Sequence, residues 1–198
     1  LNYDIYNSIH NMLNTLKSKN VNVKFKNYSE LEYAALIIIS EINNNFDKDG
    51  DISTNTIWTN FKELTITNFS LSLTSKVLDN KNADNILTKM LSVLKTKIKR
   101  DFLANEKVIL IAPTMGTTAP YHNTSIKYIM DIIFTGIFNI LKLPVTQIPL
   151  GLNYNGLPVG CQLVGNKYQD KLTIRVAELL EEAGISKWIP PKLIGLKE

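Results

Sequence analysis

The 198-residue sequence is poor in residues that form metal sites and disulfides, because it has one cysteine and two histidines. Cys161 stands in an apolar run beside Val159 and Leu163, which argues against a disulfide framework and indicates a reducing compartment. We interpret Cys161 as a buried, inert thiol. His10 and His122 have no zinc-type ligand spacing. We therefore expect no metal and no cofactor.

Glycine and proline are scarce in the first half, since all seven prolines and all but one of the nine glycines follow residue 107. Gly151 and Gly156 flank a turn without the Lys-Ser/Thr pair of a phosphate-binding loop. A Gly-x-Ser-x-Gly nucleophile elbow is absent too. No run reaches the roughly 18 apolar residues of a spanning helix, and no signal peptide opens the chain. We therefore expect an intracellular location.

Charge is modest, with a net value of +4 spread along the chain, so we predict no nucleic-acid partner. A hydrophobic content of 44% is enough for a sizeable core. The chain starts at Leu1 directly in a helical pattern, which we interpret as a cut from a longer protein.

Four elements are predicted in the first half from apolar spacing and capping residues. Asp4 is a candidate N-cap of a helix over about 4–19, and Val21–Phe25 alternates as a half-buried strand does. A helix over Ser29–Asn44 follows, and a helix with a basic face covers about 83–103.

Strands and one more helix are predicted in the second half. Residues 108–112 form a continuous apolar run stopped by Pro113, which is typical of a strand covered on both faces. Residues 145–150 and 158–164 read as strands joined by a turn through Asn153–Gly156. A last helix runs from Asp170, as N-cap, to about Ala183 and ends at Gly184.

His122 is the one candidate base, because it follows a predicted buried strand, where α/β proteins place their sites. A base would need a nucleophile and an orienting partner, and none is evident nearby in the sequence. The alternative is a loop-structuring or pocket-rim role. No constellation within the chain adds up to a catalytic mechanism.

Four motifs resemble, in order and spacing, the C-terminal region of the amidase-signature family. The family pattern is a strand ending in Ala-Pro-Thr, a Phe-Thr-x-x-x-Asn helix, Leu-Pro-x-x-x-x-Pro-x-Gly and Gly-Leu-Pro-x-Gly-x-Gln. The ordered set is more specific than any piece, and the resemblance is strongest over 107–191. The matching residues here are Ala112–Thr114, Phe134, Thr135, Asn139, Leu143, Pro144, Pro149, Gly151, Gly156–Gly160 and Gln162.

The resemblance implies that residues 1–198 are the C-terminal part of a single amidase domain. The implied fold is α/β, with a mixed β-sheet flanked by helices on both faces. The motifs are most similar to the fatty-acid amide hydrolases, particularly the second animal type, which release a fatty acid and an amine. In the complete protein the implied partner is a fatty-acid amide substrate.

Catalysis in that family uses a Ser nucleophile, a bridging Ser and a Lys base in a Gly/Ser-rich segment. A Ser hydroxyl needs a nearby base, and the oxyanion needs amide donors in a tight turn that glycines permit. Ser70, Ser72 and Ser75 lack that context, so Lys24 or Lys89 would be an arbitrary choice of base. We assign no catalytic residue and expect this chain alone to be inactive.

Thr135 and Phe138 are the substrate-binding candidates that the resemblance supplies. Both precede Leu143 on the predicted helix and would contact the acyl chain, with plain packing between helix and sheet as the alternative. The resemblance also implies peripheral membrane contact through Trp58, Phe61 and Phe69, because fatty-acid amide hydrolases carry an apolar helical cap near this place, with core packing as the alternative. A homodimer stays open.

Two rival interpretations remain. The first is an amidase subunit of the glutamyl-tRNA amidotransferase type, which shares the scaffold. The second is a non-catalytic half-scaffold interaction protein that pairs with a separate chain, since half-sheets leave strand edges unpaired.

Overall fold

A computed structural model describes residues 1–38, 40–41, 81–103, 107–124, 128 and 131–191. Within these ranges, a short 3-10 helix at Ser29–Tyr33 runs into α-helical residues 34–38. The remaining elements, in chain order, are α1 (Tyr3–Ser18), α2 (Lys81–Leu103), β1 (Leu110–Pro113), α3 (Ile132–Leu141), β2 (Val145–Leu152), β3 (Pro158–Val164) and α4 (Asp170–Glu182).

The three strands form an antiparallel sheet in the order β1-β3-β2. The β2–β3 hairpin predicted from the sequence is confirmed, with β2 extending to Leu152. Its turn is built by Asn153, whose Oδ1 accepts hydrogen bonds from the amides of Asn155 (3.0 Å) and Leu157 (2.9 Å). Gly156 completes the turn at φ +77°, a left-handed conformation that glycine adopts without strain.

Helices cover both faces of this sheet. Cys161 and Leu163 of β3 point into the α1/α4 core, whose buried members also include Met12, Ile148 and Leu180. Val164 points the other way, into the α2/α3 core. The predicted α/β fold with helices on both faces is therefore confirmed. The buried members of the α2/α3 core are Ala34, Ile37, Ile38, Leu87, Leu91, Leu94, Ile98, Phe102, Ile137, Phe138, Leu141 and Val164.

Strand pairing in the described part of the chain differs from the mixed sheet we expected. The three strands pair only antiparallel, and parallel pairing is limited to one bridge between Leu150 and Lys187. The first strand also begins later than predicted, at Leu110, and includes Pro113. Its alternate residues do pack on opposite faces, with Ile111 against the α1/α4 core and Leu110 against the α2/α3 core.

Both predicted helix N-caps are displaced. Asn2, rather than Asp4, caps α1, because the Asn2 Oδ1 accepts a hydrogen bond from the Asp4 amide at 2.7 Å. Gln169, rather than Asp170, is the cap residue of α4. The predicted end of α4 is confirmed, since Gly184 follows it at φ +69°.

The strand predicted at Val21–Phe25 is wrong, because residues 21–28 have no regular secondary structure. Val21 and Phe25 are exposed, and Phe25 packs under the Lys17 ammonium, 4.9 Å from its ring centroid. Alternating sequence forms a strand only beside a pairing partner, and the described sheet provides none here.

Ionic contacts tie residues 26–30 to α2. The Lys26 ammonium lies 2.9 Å from the Asp101 carboxylate, and the Tyr28 hydroxyl donates to the other Asp101 oxygen at 2.8 Å. Lys97 donates to Glu30, whose side chain is largely buried. The hydrogen bond from Lys97 lowers the pKa of Glu30, and that from Lys26 lowers the pKa of Asp101. Residues 34–38 confirm part of the helix predicted over Ser29–Asn44.

Several predictions fall on residues that the structure does not describe. They are residues 39 and 42–44 of the predicted Ser29–Asn44 helix and the membrane contact through Trp58, Phe61 and Phe69. In the described ranges, no helix combines the length and apolarity needed to cross a membrane.

Replacing Lys97 by Met is expected to lower the free energy of unfolding by about 1 to 3 kcal/mol at pH 7, because the buried Glu30 carboxylate then lacks its cation. The Lys89→Met variant is the matched control, since Lys89 is exposed on the same helix. Urea unfolding followed by circular dichroism measures the difference.

The same pair fixes a pH dependence. Because the folded-state pKa of Glu30 is lowered, its stabilising contribution is full above the usual glutamate pKa of about 4.3 and disappears as pH falls through the lowered value. The difference between wild type and Lys97→Met should therefore shrink on acidification. A difference that stays constant down to pH 3 would contradict the assignment.

Candidate functional site

The candidate site lies where β1 ends and the chain turns toward α3. Pro113 is the last residue of β1, and Gly116 is buried in the loop that follows. A Cβ added at Gly116 would lie 2.7 Å from the Asp131 Oδ1 and 2.9 Å from the Phe134 ring. Any larger residue would force the Asp131 or Phe134 side chain to shift, so the loop lies directly against the start of α3.

Asp131 fastens this loop. Its Oδ2 accepts hydrogen bonds from the Gly116 amide at 3.1 Å and from the Thr117 hydroxyl at 2.8 Å. Asp131 is also the N-cap residue of α3, but its side chain makes no capping hydrogen bond. A carboxylate at a helix N-terminus is favoured by the helix dipole, and here it also orders a neighbouring loop.

Gln162 joins three elements from the middle of the sheet. Its side chain leaves β3 on the α2/α3 face and is 2% exposed. The Nε2 group donates to the carbonyl of Pro113 at 2.7 Å and to the carbonyl of Phe134 at 2.6 Å. A buried amide must be hydrogen bonded, and the Nε2 group meets this requirement by donating to these two carbonyls. This contact sets the distance between the end of β1 and the first turn of α3.

Gly160 explains another part of the Gly-Leu-Pro-x-Gly-x-Gln motif. A Cβ at this position would lie 2.6 Å from the backbone oxygen of Ile148, so the β2 and β3 backbones approach too closely for any side chain. Gly156 allows the tight turn, Gly160 allows the close contact between β2 and β3, and Gln162 links the sheet to α3. The motif is thus a set of structural requirements around the site.

Thr114 presents a hydroxyl for which the described residues offer no partner. Its Oγ1 is buried without a hydrogen bond, directly after β1. A buried hydroxyl without a partner is uncommon in folded proteins, and either an ordered water or a bound group can supply the missing bond. The Ala-Pro-Thr motif contained the signal, although our sequence analysis assigned Thr114 no binding role.

The two predicted substrate-binding residues have different environments on α3. Thr135 is half-buried and directly follows Phe134, whose carbonyl accepts from Gln162. Phe138 is 7% exposed and belongs to the α2/α3 core. Thr135 is therefore accessible beside the site, while Phe138 is largely occupied in packing.

The other singled-out side chains do not converge on this site. His122 is exposed on a turn, and His10 stacks on Tyr6 with ring centroids 5.7 Å apart. Cys161 is fully buried, and desolvation raises the pKa of its thiol to about 12, which makes it unreactive near neutral pH. Among the described residues no group of three or more potential metal ligands occurs.

The candidate catalytic groups considered in the sequence give no triad in the described ranges. Lys24 and Lys89 are both exposed, and Ser70, Ser72 and Ser75 are not among the described residues. The geometry therefore shows a scaffold with a polar loop, a half-buried threonine and a buried hydroxyl.

Comparison with known protein families decides what this scaffold is. The sequence model of the family described as Amidase matches residues 3–174, which is most of the chain. The chain belongs to the Amidase family.

Curated relatives add detail to this Amidase assignment. The chain is 42% identical over 91 residues to fatty-acid amide hydrolase 2 of Homo sapiens and 47% identical over 89 residues to fatty-acid amide hydrolase 2-A of Danio rerio. It is 33% identical over 95 residues to a glutamyl-tRNA(Gln) amidotransferase subunit of Prochlorococcus marinus subsp. pastoris. These alignments cover 46%, 45% and 45% of this chain, but only 17%, 16% and 20% of the relatives.

Solved structures confirm the amidase fold. A glutamyl-tRNA(Gln) amidotransferase subunit from Thermotoga maritima matches 92% of this chain and 39% of its own, with a TM-score of 0.65 and 18% identity. A 6-aminohexanoate cyclic dimer hydrolase matches 98% of this chain and 44% of its own, with a TM-score of 0.61 and 19% identity. The chain thus spans less than half the length of these structures.

Replacing Gln162 by Leu is expected to lower the free energy of unfolding by about 1 to 3 kcal/mol, because two buried carbonyls lose their donor. Hydrogen exchange of the Gly116 amide should accelerate as well, since the end of β1 loses its link to Phe134 and the Asp131 contact with the loop is left without that support. The matched control is Gln147→Leu, because Gln147 is the exposed cross-strand partner of Gln162. Equal effects of both substitutions would show that the buried amide has no special role.

Proposed function

We propose that this chain is part of a serine amidase that hydrolyses fatty-acid amides to free fatty acids and amines. One observation carries the proposal. Over alignments of similar length, identity is 40% to 47% to three fatty-acid amide hydrolases but 33% and 37% to two Prochlorococcus amidotransferase subunits.

The role proposed for this portion is to supply the sheet and one wall of the substrate channel. Asp131 and Gln162 hold the first turn of α3 against the loop after β1, which supports a rigid wall at Thr135. A wall that contacts an acyl chain must keep its shape when the chain enters, because each misplaced contact reduces transition-state binding.

Thr135 and Phe138 contribute to this wall in different ways. Thr135 is half-buried and is proposed to touch the acyl chain directly, with its methyl group as the contact. Phe138, packed in the α2/α3 core, is proposed to support the wall from behind while its edge reaches the channel. The Thr114 hydroxyl is a candidate donor to a polar atom of the substrate.

The nucleophile and base are proposed to come from a segment other than these 198 residues. Amide hydrolysis by serine needs a base to take the hydroxyl proton and backbone donors to hold the oxyanion. The described residues do not bring a serine, a base and oxyanion donors together, so the chain by itself is proposed to be inactive. We further propose an intracellular protein with peripheral membrane contact, consistent with a lipid substrate.

A second candidate function is the amidase step of a glutamyl-tRNA amidotransferase. The 33% identity to a protein of that name supports it. The two candidates differ in substrate, because one needs a long apolar channel and the other a small polar pocket for glutamine. Substrate preference therefore separates them.

The test is a substrate series assayed on the protein purified from its natural source, with oleamide, propanamide and glutamine as substrates. We expect kcat/KM for oleamide to exceed that for propanamide by roughly 100-fold or more, because the long chain adds many apolar contacts. A preference for glutamine would overturn the fatty-acid amide proposal in favour of the second candidate.

Variants at Thr135, made in the complete protein, test the channel wall with the same substrates. Thr135→Phe should lower kcat/KM for oleamide by about tenfold while leaving propanamide within about twofold, because the larger ring narrows the acyl path. Thr135→Ser, which keeps the hydroxyl and the size class, is the matched control. If Thr135→Phe lowers kcat/KM equally for oleamide and propanamide, Thr135 does not contact the acyl chain.

A further inference from the structure

A cavity of about 540 Å³ opens at the far end of α3 from the candidate functional site. It lies between the C-terminal part of α2, the end of α3 and the loop between β3 and α4. A volume of this size is in the range of small-molecule binding sites. The lining residues are Lys95, Ile98, Lys99, Phe102, Ile140, Leu141, Lys142, Leu143, Asn166, Lys167 and Tyr168.

The lining divides into an apolar floor and a cationic rim. Five apolar side chains, from α2 and from 140–143, form the floor. Four lysines from three separate parts of the chain stand around it, and no acidic residue of the described ranges lines the cavity. Among the described residues, none of these lysines takes part in a salt bridge. The rim lysines are Lys95, Lys99, Lys142 and Lys167.

Four lysines border one cavity, and their positive charges favour an anion bound beside them. The apolar floor would leave a small hydrophilic anion without contacts for its far side. A ligand that satisfies both parts has an anionic head and an apolar chain. The lysines of the rim thus specify the head of the ligand, and the apolar floor specifies its chain.

Backbone conformation at the cavity supports this interpretation. Lys142 has φ +54° and Tyr168 has φ +66°, in the left-handed region that side chains other than Asn and Gly rarely adopt. The other non-glycine residues of the described ranges in this region are Asn20 and Asn123, which tolerate it. Lys142 and Tyr168, which tolerate the left-handed conformation poorly, both line the cavity.

Lys142 is the clearer case, because it occupies the position after α3 where glycine is preferred. Its amide donates to the Asn139 carbonyl, and the Leu143 amide donates to the Phe138 carbonyl at 3.1 Å, as in a helix-ending motif usually completed by glycine. A lysine here costs conformational strain, which its ammonium at the cavity rim can explain.

A local turn also fixes the opposite wall. The Asn166 Oδ1 accepts a hydrogen bond from the Lys167 amide at 2.9 Å, and the Asn166 carbonyl accepts from the Gln169 amide at 3.0 Å. This turn holds Lys167 and Tyr168 at the cavity, where the Tyr168 side chain is 97% exposed. An exposed aromatic beside cations can cover a bound apolar chain.

We infer that this cavity binds an anionic amphiphile, a carboxylate carried on an apolar chain, at a site separate from the proposed acyl channel. The carboxylate lies among the four ammonium groups and the chain lies on the floor formed by 140–143 and α2. The inference stands on the cavity alone and does not require that the chain belong to a fatty-acid amide hydrolase.

The test is calorimetric titration of the complete protein at fixed ionic strength with decanoate, decanol, acetate and inorganic phosphate. We expect one decanoate per protein to bind at the site bordered by Lys99 and Lys167, at least tenfold more tightly than each of the other three, because only decanoate combines head and chain. Binding of phosphate as tight as that of decanoate would overturn the amphiphile assignment.

Charge variants locate the site. Lys99→Gln combined with Lys167→Gln should weaken decanoate binding about tenfold or more, while Lys89→Gln, which removes an exposed lysine of the same helix away from the cavity, should change it by less than twofold. Equal weakening by both changes would mean that net charge, and not the cavity, attracts the ligand.

Lys142→Gly separates binding from folding. Because glycine relieves the left-handed strain, the variant should raise the thermal unfolding midpoint by about 2 to 4 °C while weakening decanoate binding. A fall in the midpoint, or unchanged decanoate binding, would contradict the assigned role. A stable variant also ensures that lost binding does not reflect unfolding.

Vesicles distinguish a single-chain ligand from a membrane surface. Sedimentation with phosphatidylserine vesicles that depends on Lys99 and Lys167, together with no decanoate binding, would overturn the proposal in favour of a lipid headgroup surface. Decanoate binding without such sedimentation would support it.

Discussion

The buried amide of Gln162 is the contact on which the site depends. It stands on the middle strand of the described sheet and donates to the last residue of β1 and to the first turn of α3. Each of those carbonyls is far from Gln162 in sequence, so the amide closes two long loops at one point. An unpaired amide at this depth is costly, and α3 therefore has one favourable height above the sheet.

The features at both ends of α3 follow from this fixed distance between the helix and the sheet. At its start, Asp131 can reach the loop of Gly116, and Thr135 is left half-buried beside it. At its end, 140–143, α2 and the β3–α4 loop together border the open cavity. One helix thus carries the wall proposed for the acyl chain and the floor inferred for an anionic amphiphile.

Local patterns predicted the second half of the fold well. Alternation and the Asn153–Gly156 turn chemistry specify the β2–β3 hairpin, and both signals act within a few residues. Two kinds of prediction were wrong. One required a choice between neighbouring residues that are equally suitable, and the other required a pairing strand elsewhere in the fold. Asn2 and Asp4 are both good caps, and only the backbone decides between them. Val21–Phe25 alternates correctly but has no strand to pair with in the described sheet.

The candidate site was less accessible to sequence reasoning. The family motifs include Thr135 and Gln162, but the hydrogen bonds that form the site connect residues far apart in the sequence. Those of Gln162 span 49 and 28 residues, and that of Asp131 with Gly116 spans 15. The basic cavity shows the same limit. Lys95 and Lys99 are visible as one helix face, whereas their meeting with Lys142 and Lys167 is a property of the tertiary fold.

The central claim is that these residues form a wall of an amidase whose nucleophile lies elsewhere. Labelling the naturally occurring protein with a fluorophosphonate probe, followed by peptide mass spectrometry, tests it most directly. The account predicts that the modified serine lies outside the 198 residues, in a Gly/Ser-rich segment. A modified serine within them, such as Ser70, Ser72 or Ser75, would contradict it.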